Sequence, residues 1–191
     1  MKILGINGSP RKGGNTDILL DEALKGSASA GAVVEKIILD DLKIAPYRQE
    51  EYETQGEEEL SAADDDMRLI YQKINEADAL ILASPVFFGS LSAQMKAMID
   101  RFQCVWVAKN VFKKKVFTAA KTGAFICVAA SEEQKFFRNA SEIVKHFFAT
   151  INTRYKEELF CPGVDQKGSV REHSEYLEKA RLLGKSLGQK A

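Results

Sequence analysis

Gly8-Ser9-Pro10-Arg11-Lys12-Gly13-Gly14-Asn15-Thr16 follows the short apolar run Ile3-Leu4-Gly5-Ile6 and precedes an amphipathic segment that begins near Ile18. That order reads as strand, small-residue loop, helix. Such a loop leaves backbone N–H groups uncovered and aims a helix N-terminus into the space it encloses, a geometry that attracts phosphate. Ser9, Asn15 and Thr16 add hydroxyl and amide donors, and Arg11 adds a positive charge. The spacing excludes two common nucleotide loops. Four residues separate Gly8 from Gly13, as in a Walker loop, but Gly14-Asn15 stands where Lys-Ser/Thr is required. The dinucleotide fingerprint fails because Gly5 and Gly8 are three apart rather than two. What is left is a compact cradle suited to a terminal monophosphate. The competing reading is an ordinary turn with a capped helix, since Asn and Thr cap helices in any case.

A second segment decides between them. The apolar run Ala79-Leu-Ile-Leu-Ala83 leads into Ser84-Pro85-Val86-Phe87-Phe88-Gly89-Ser90, and then into a pattern with Leu91, Met95, Met98, Ile99 and Phe102 on one helical face. This is again strand, loop, helix. In an open parallel sheet, ligands sit beyond the carboxyl ends of the strands. The first loop offers phosphate donors and the second a flat apolar surface with free backbone groups. Together they describe a site for flavin mononucleotide.

These stretches, together with Ser92-Ala-Gln-Met-Lys-Ala-Met-Ile-Asp-Arg101, resemble the NAD(P)H-dependent FMN reductase family, and most nearly its iron–sulfur flavoprotein branch. The resemblance runs from Met1 to about Phe102 and fades beyond it. It implies a flavodoxin-like three-layer α/β/α sandwich around a five-stranded parallel sheet in strand order 2-1-3-4-5. It implies FMN as cofactor and NAD(P)H as co-substrate, with hydride passing from nicotinamide to flavin and electrons onward to a quinone, a free flavin, an azo or nitro compound, or a metal ion. The alternative is an FMN-bearing electron-transfer protein reduced by a partner protein. Carried over residue by residue, Ser9, Arg11, Gly14, Asn15 and Thr16 hold the phosphate. Pro85, Val86, Phe87, Phe88 and Gly89 shape the ribityl and ring site, and the backbone at Ala130 and Ser131 borders the ring. No acid–base residue is assigned, because the cofactor carries the hard chemical step.

One departure matters. The iron–sulfur branch carries closely spaced cysteines after the second strand. Here that stretch reads Pro46-Tyr-Arg-Gln-Glu-Glu-Tyr-Glu-Thr-Gln-Gly56, with Tyr47, Glu50 and Glu53 at the cysteine spacing. Clusters are held by thiolates, so no iron–sulfur cluster is expected. Cys104, Cys127 and Cys161 are an odd number without a CxxC pair, which argues against a disulfide framework or a zinc site and fits a reducing cytoplasm.

The chain of 191 residues has 27 basic and 27 acidic residues. A zero formal charge argues against nucleic acid as a partner. No apolar run approaches the roughly 20 residues that span a bilayer, and the chain opens on a strand without a signal-peptide pattern. It reads as a single domain, 1–191, with an irregular acidic insertion at about 45–63. The run from Arg48 to Asp66 holds nine acidic residues; a solvated loop is the reading rather than a metal site, with Ser61 and Asp64 at capping-box spacing. Further strands are expected at 33–39, 123–130 and, weakly, 158–161. Helices are expected at 16–30, 64–76, 91–102, 134–150 and 169–187, with Ser131 and Gln134 at capping-box spacing before the fourth. His146 and His173 are the only histidines, and His146, on the aromatic-rich fourth helix, is read as structural. Phe102, Val105, Trp106 and Val107 form an apolar cluster expected to cover a partner in a homodimer or homotetramer.

Overall fold

The computed structural model describes residues 1–48 and 65–189. Its first unit is β1 (Lys2–Asn7), the loop of residues 8–14, and α1 (Asn15–Ser29). Strand β2 (Val33–Ile38) and a short 3₁₀ turn (Leu39–Asp41) follow. After the acidic stretch come α2 (Met67–Glu76), β3 (Ala79–Phe87), a two-residue β4 (Ser90–Leu91), α3 (Ala93–Asp100) and α4 (Gln103–Asn110). The chain closes with β5 (Lys121–Val128), α5 (Gln134–Thr150), β6 (Thr153–Cys161), a 3₁₀ turn (Ser169–Glu172) and α6 (Ser174–Gly188).

The long strands pair in parallel in the order β2-β1-β3-β5-β6, and β4 pairs antiparallel with the end of β3. Counted over the long strands this is the order 2-1-3-4-5 implied by the resemblance; the two-residue β4 is the small addition that brings the sheet to six strands. Runs apolar at every position are what a parallel sheet covered on both faces requires. Alternate residues serve alternate layers. Leu4, Ile6, Leu80, Leu82, Phe125 and Cys127 pack with Met67, Ile70, Met95, Phe102, Phe137 and Phe148 on the face of α2, α3, α4 and α5. Ile3, Ala79, Ile81, Ala124 and Ile126 pack with Leu19, Leu20, Leu183 and Leu187 on the face of α1 and α6.

Several boundaries differ from the sequence reading. The third strand does not end at Ala83. It continues through Pro85, paired with Val128, to Phe87, so the expected loop of 84–90 is the end of a strand and a tight hairpin. Phe88 and Gly89 form its two-residue tip, both at positive φ (51° and 76°), as a hairpin that follows strand twist demands. Leu91 therefore lies on β4, and the helix expected at 91–102 starts after Ser92, whose side chain accepts from the Met95 N–H. A separate helix, α4, has no counterpart in the sequence reading. The fifth long strand starts at Thr153 rather than 158, and His173 separates a 3₁₀ turn from the last helix. The capping box before α5 does not form: Glu133 precedes the helix, and Ser131 Oγ accepts from the Glu133 N–H at 3.1 Å. Of the expected interface cluster, Phe102 and Val105 belong to the core, and Trp106 is exposed. Ser61, Asp64, Glu50 and Glu53 lie outside the described residues.

The neck of the acidic stretch is closed by polar bonds. Lys43 N–H donates to Asp66 (2.7 Å), Asp66 N–H donates to the Lys43 carbonyl (3.0 Å), and Ala45 N–H donates to Asp65 (3.0 Å). Arg101, almost fully buried, pairs with Asp65 and donates to the Ala45 carbonyl at 3.1 Å. Among the described residues no helix is long and apolar enough to cross a membrane.

Candidate functional site

A cleft of about 140 Å³ opens at the carboxyl ends of β1, β3, β5 and β6, where an open parallel sheet places its ligands. One end is built by the first loop. Gly14 N–H donates to the Arg11 carbonyl at 2.9 Å and closes the turn, and Gly13 adopts φ +66°, which suits glycine. Ser9 N–H donates to Asn7 Oδ1 (2.9 Å), and Ser9 Oγ accepts from the Arg11 N–H (3.2 Å). The loop is fastened to the next unit as well. Gly8 N–H donates to the Ala83 carbonyl (2.8 Å), and Ser92 Oγ donates to the Gly8 carbonyl (2.6 Å) while the Ser92 N–H donates to Ser84 Oγ (3.1 Å). Ser84 and Ser92 thus hold the two loops at a fixed separation.

Of the residues singled out in the sequence, Ser9, Arg11, Asn15, Thr16, Pro85, Val86, Phe87 and Ala130 line this cleft. Gly14, Phe88, Gly89 and Ser131 do not. Gly14 is buried in the turn, and Phe88 projects fully into solvent at the hairpin tip. The Asn15 side chain is committed elsewhere: Nδ2 donates to the Gln166 carbonyl (2.8 Å) and Oδ1 accepts from the Val170 N–H (3.2 Å). It stitches α1 to the segment after β6. That stitch brings in residues the sequence reading missed: Val128, Val164, Asp165 and Lys167 complete the lining. Arg11 Nη1 lies 3.5 Å from the Asp165 carbonyl, and Lys167 Cε lies 4.0 Å from where a Cβ on Gly13 would stand. Lys12 turns the other way and pairs with Asp41.

The electrostatics follow from these placements. Arg11, Lys167 and the N-terminus of α1 meet at one end, and Pro85, Val86, Phe87 and Val128 give the cleft an apolar wall. The cysteines stand apart from this chemistry. All three are buried. Burial pushes the Cys127 thiol up and raises Cys161 to about 12, so the thiolate that would ligate metal is disfavoured at both. Among the described residues no group of three His, Cys, Asp or Glu side chains is arranged to hold a metal ion. His146 is exposed on α5, and His173 stacks on Tyr176 beside Glu175.

Residues 1–152 match the NADPH-dependent FMN reductase family. The chain belongs to that family. Over 124 residues it is 40% identical to an iron-sulfur flavoprotein of Methanocaldococcus jannaschii, a match that takes in 65% of this chain and 63% of that protein. The chain therefore spans less than two thirds of the length of that relative. It is 26% identical over 186 residues to YwqN of Bacillus subtilis, provisionally named an NAD(P)H-dependent FMN-containing oxidoreductase, with 97% of this chain and 98% of that protein aligned. Among solved structures it is similar to an FMN-dependent NADH-azoreductase from Bacillus anthracis in complex with FMN, at a TM-score of 0.72 and 13% identity, covering 99% of this chain and all of that one. At that identity the likeness is one of fold, the flavodoxin-like parallel sheet flanked by helices. The segment that matches the family takes in both loops of the cleft.

Proposed function

We propose that this chain binds FMN in the cleft and uses it to move electrons from NAD(P)H to a small-molecule acceptor. The observation that carries the reading is the convergence of Arg11, Lys167 and the α1 N-terminus at one end of a cleft whose other wall is Pro85, Val86 and Phe87. Those residues fit the group. Ser9 and Thr16 offer hydroxyls to a phosphate ester, the first-turn N–H groups of α1 have no intrahelical acceptor, and the two cations balance a dianion. Val128, Ala130 and Val164 with the end of β3 offer an apolar seat for a planar ring. When bound, FMN supplies two-electron chemistry, taking hydride from reduced nicotinamide. The protein's part is to hold ring and nicotinamide in register and keep bulk water off the apolar wall.

The acceptor we assign is a quinone, a free flavin, an azo or nitro compound or a metal ion, which would approach beside the β3–β4 hairpin, where Phe87 is partly exposed. No iron–sulfur cluster enters the scheme, since residues 46–56 hold no cysteine. We further propose that the 191 residues act as one flavin-binding unit, and that a second copy covers the exposed Trp106, Val111 and Phe112 at the end of α4. Free buried thiols suit a cytoplasmic setting.

Replacing both Arg11 and Lys167 with alanine is expected to weaken FMN binding about 10- to 100-fold, the size of one charge-assisted hydrogen bond, because both cations are partly exposed to solvent. Riboflavin, which lacks the phosphate, should bind the variant as it binds the wild type. Flavin fluorescence titration measures both; unchanged FMN affinity would remove the two cations from the phosphate site.

A further inference from the structure

A loop that receives a phosphate dianion should have no bare negative charge behind it. Asp17 stands in the first turn of α1, within one turn of that loop, and is 6% exposed. Its oxygens are fully engaged. Oδ2 accepts from the Gly13 N–H at 2.8 Å, and Oδ1 accepts from Asn7 Nδ2 at 3.0 Å and from Lys36 Nζ at 2.9 Å. Asn7 in turn accepts the Ser9 N–H through Oδ1 at 2.9 Å. One connected chain of bonds thus runs from Lys36 on β2, through Asp17, to both halves of the loop, at Ser9 and at Gly13. Asp17 is not among the residues that line the cleft, so it does not meet a ligand there.

We propose that Asp17 and Lys36 are positioning residues for the phosphate loop: Asp17 holds Gly13 and Asn7 in place, and Lys36, shared with the solvent-exposed carboxylate of Asp21, offsets the buried charge of Asp17 so that the loop still accepts a dianion. The proposal rests on the FMN reading above. Two facts support the charge assignment. Burial alone would lower the Lys36 ammonium, yet its bonds to Asp21 (2.6 Å) and Asp17 hold it above its ordinary value, so it is charged at neutral pH. The second cation on this side, Lys12, is engaged with Asp41. Without Lys36 the uncompensated charge of Asp17, in the first turn of α1, would offset part of the attraction that a helix N-terminus exerts on an anion.

The test compares FMN with riboflavin in the wild type and in Lys36→Met, Lys36→Arg and the double variant Lys36→Met/Asp17→Asn, with circular dichroism confirming that each is folded. Lys36→Met should weaken FMN about tenfold, equivalent to a charge contact near a helix N-terminus, while riboflavin moves less than about twofold. Lys36→Arg should retain the wild-type affinity. The double variant should recover part of the FMN binding, because the amide introduced by Asp17→Asn carries no charge and its oxygen can still accept from the Gly13 N–H, while its NH2 faces the Asn7 Nδ2 donor and that one bond is lost. Parallel weakening of both flavins, or a double variant no better than Lys36→Met, would overturn the positioning role. A wild type that takes up neither flavin would instead overturn the FMN reading itself.

Discussion

Replacing Arg101 with methionine is expected to cost about 3–5 kcal/mol of folding stability, the range for breaking a buried ion pair by removing one partner. The guanidinium is 1% exposed, and it meets Asp65 and the Ala45 carbonyl from opposite ends of the acidic stretch. Without it the Asp65 side chain, itself 7% exposed, loses its counter-charge. The Ala45 N–H and Met67 N–H, at 3.0 and 3.1 Å, cannot replace a full positive charge. Neighbouring bonds add to the loss, since Tyr71 Oη and Cys104 Sγ both donate to the Arg101 carbonyl, which shifts if the side chain lets go. For a chain of this size the drop corresponds to roughly 6–20 °C in Tm. Thermal unfolding followed by circular dichroism measures it. Removing both charges together, as Arg101→Met/Asp65→Leu, should recover part of the stability, because no buried charge is then left unpaired. A single variant within about 1 kcal/mol of wild type would show that the pair is not the clamp described here.

The second large effect is expected at Gly184. A Cβ there would stand 1.7 Å from the Ala23 carbonyl oxygen, and on the facing helix a Cβ at Gly26 would stand 2.0 Å from the Arg181 carbonyl oxygen. Helices α1 and α6 therefore touch backbone to backbone. Ser27 Oγ donates to the Gly184 carbonyl at 2.9 Å in the same contact. Backbone atoms cannot rotate away as a side chain can, so Gly184→Val must separate the helices. The expected cost is about 3 kcal/mol or more, at the upper end for overpacking. Because α1 presents its N-terminus to the cleft, FMN affinity should fall with it. Thermal unfolding and flavin titration of the same variant check both; unchanged stability would mean that the two helices yield without strain.

Much of the fold is legible in the chain, for physical reasons. Strands buried on both faces leave continuous apolar runs such as residues 79–83, and α5 carries an unmistakable apolar stripe through Phe137, Val144 and Phe148. The misreadings have causes. Pro85 reads as a breaker, yet β1 pairs with β3 only as far as Ala83, so one side of β3 is already an edge where proline is tolerated. The edge strand β6 buries only some of its residues, and Arg154, Lys156 and Glu158 disguise its first half. The split between α3 and α4 has no proline or glycine to mark it; the chain turns at Arg101 and Phe102, both of them buried.

The site is legible where one loop alone builds it. Ser9, Arg11 and Thr16 follow directly from the order strand, loop, helix. Val164, Asp165 and Lys167 could not be placed that way, because they follow the last strand and reach the cleft only through the bonds of Asn15 to the Gln166 carbonyl and the Val170 N–H, which the sequence does not announce. Asp17 and Lys36 look like ordinary surface charges in the sequence, and only their bonds to Gly13, Asn7 and each other give them a role.

The most direct test of the central claim is the visible absorption of the protein loaded with FMN and then mixed with NADPH or NADH in the absence of oxygen. The account predicts a yellow protein that holds FMN through gel filtration and bleaches rapidly with at least one of the two nucleotides. A protein that takes up no FMN, or one that stays yellow with both nucleotides, would contradict it.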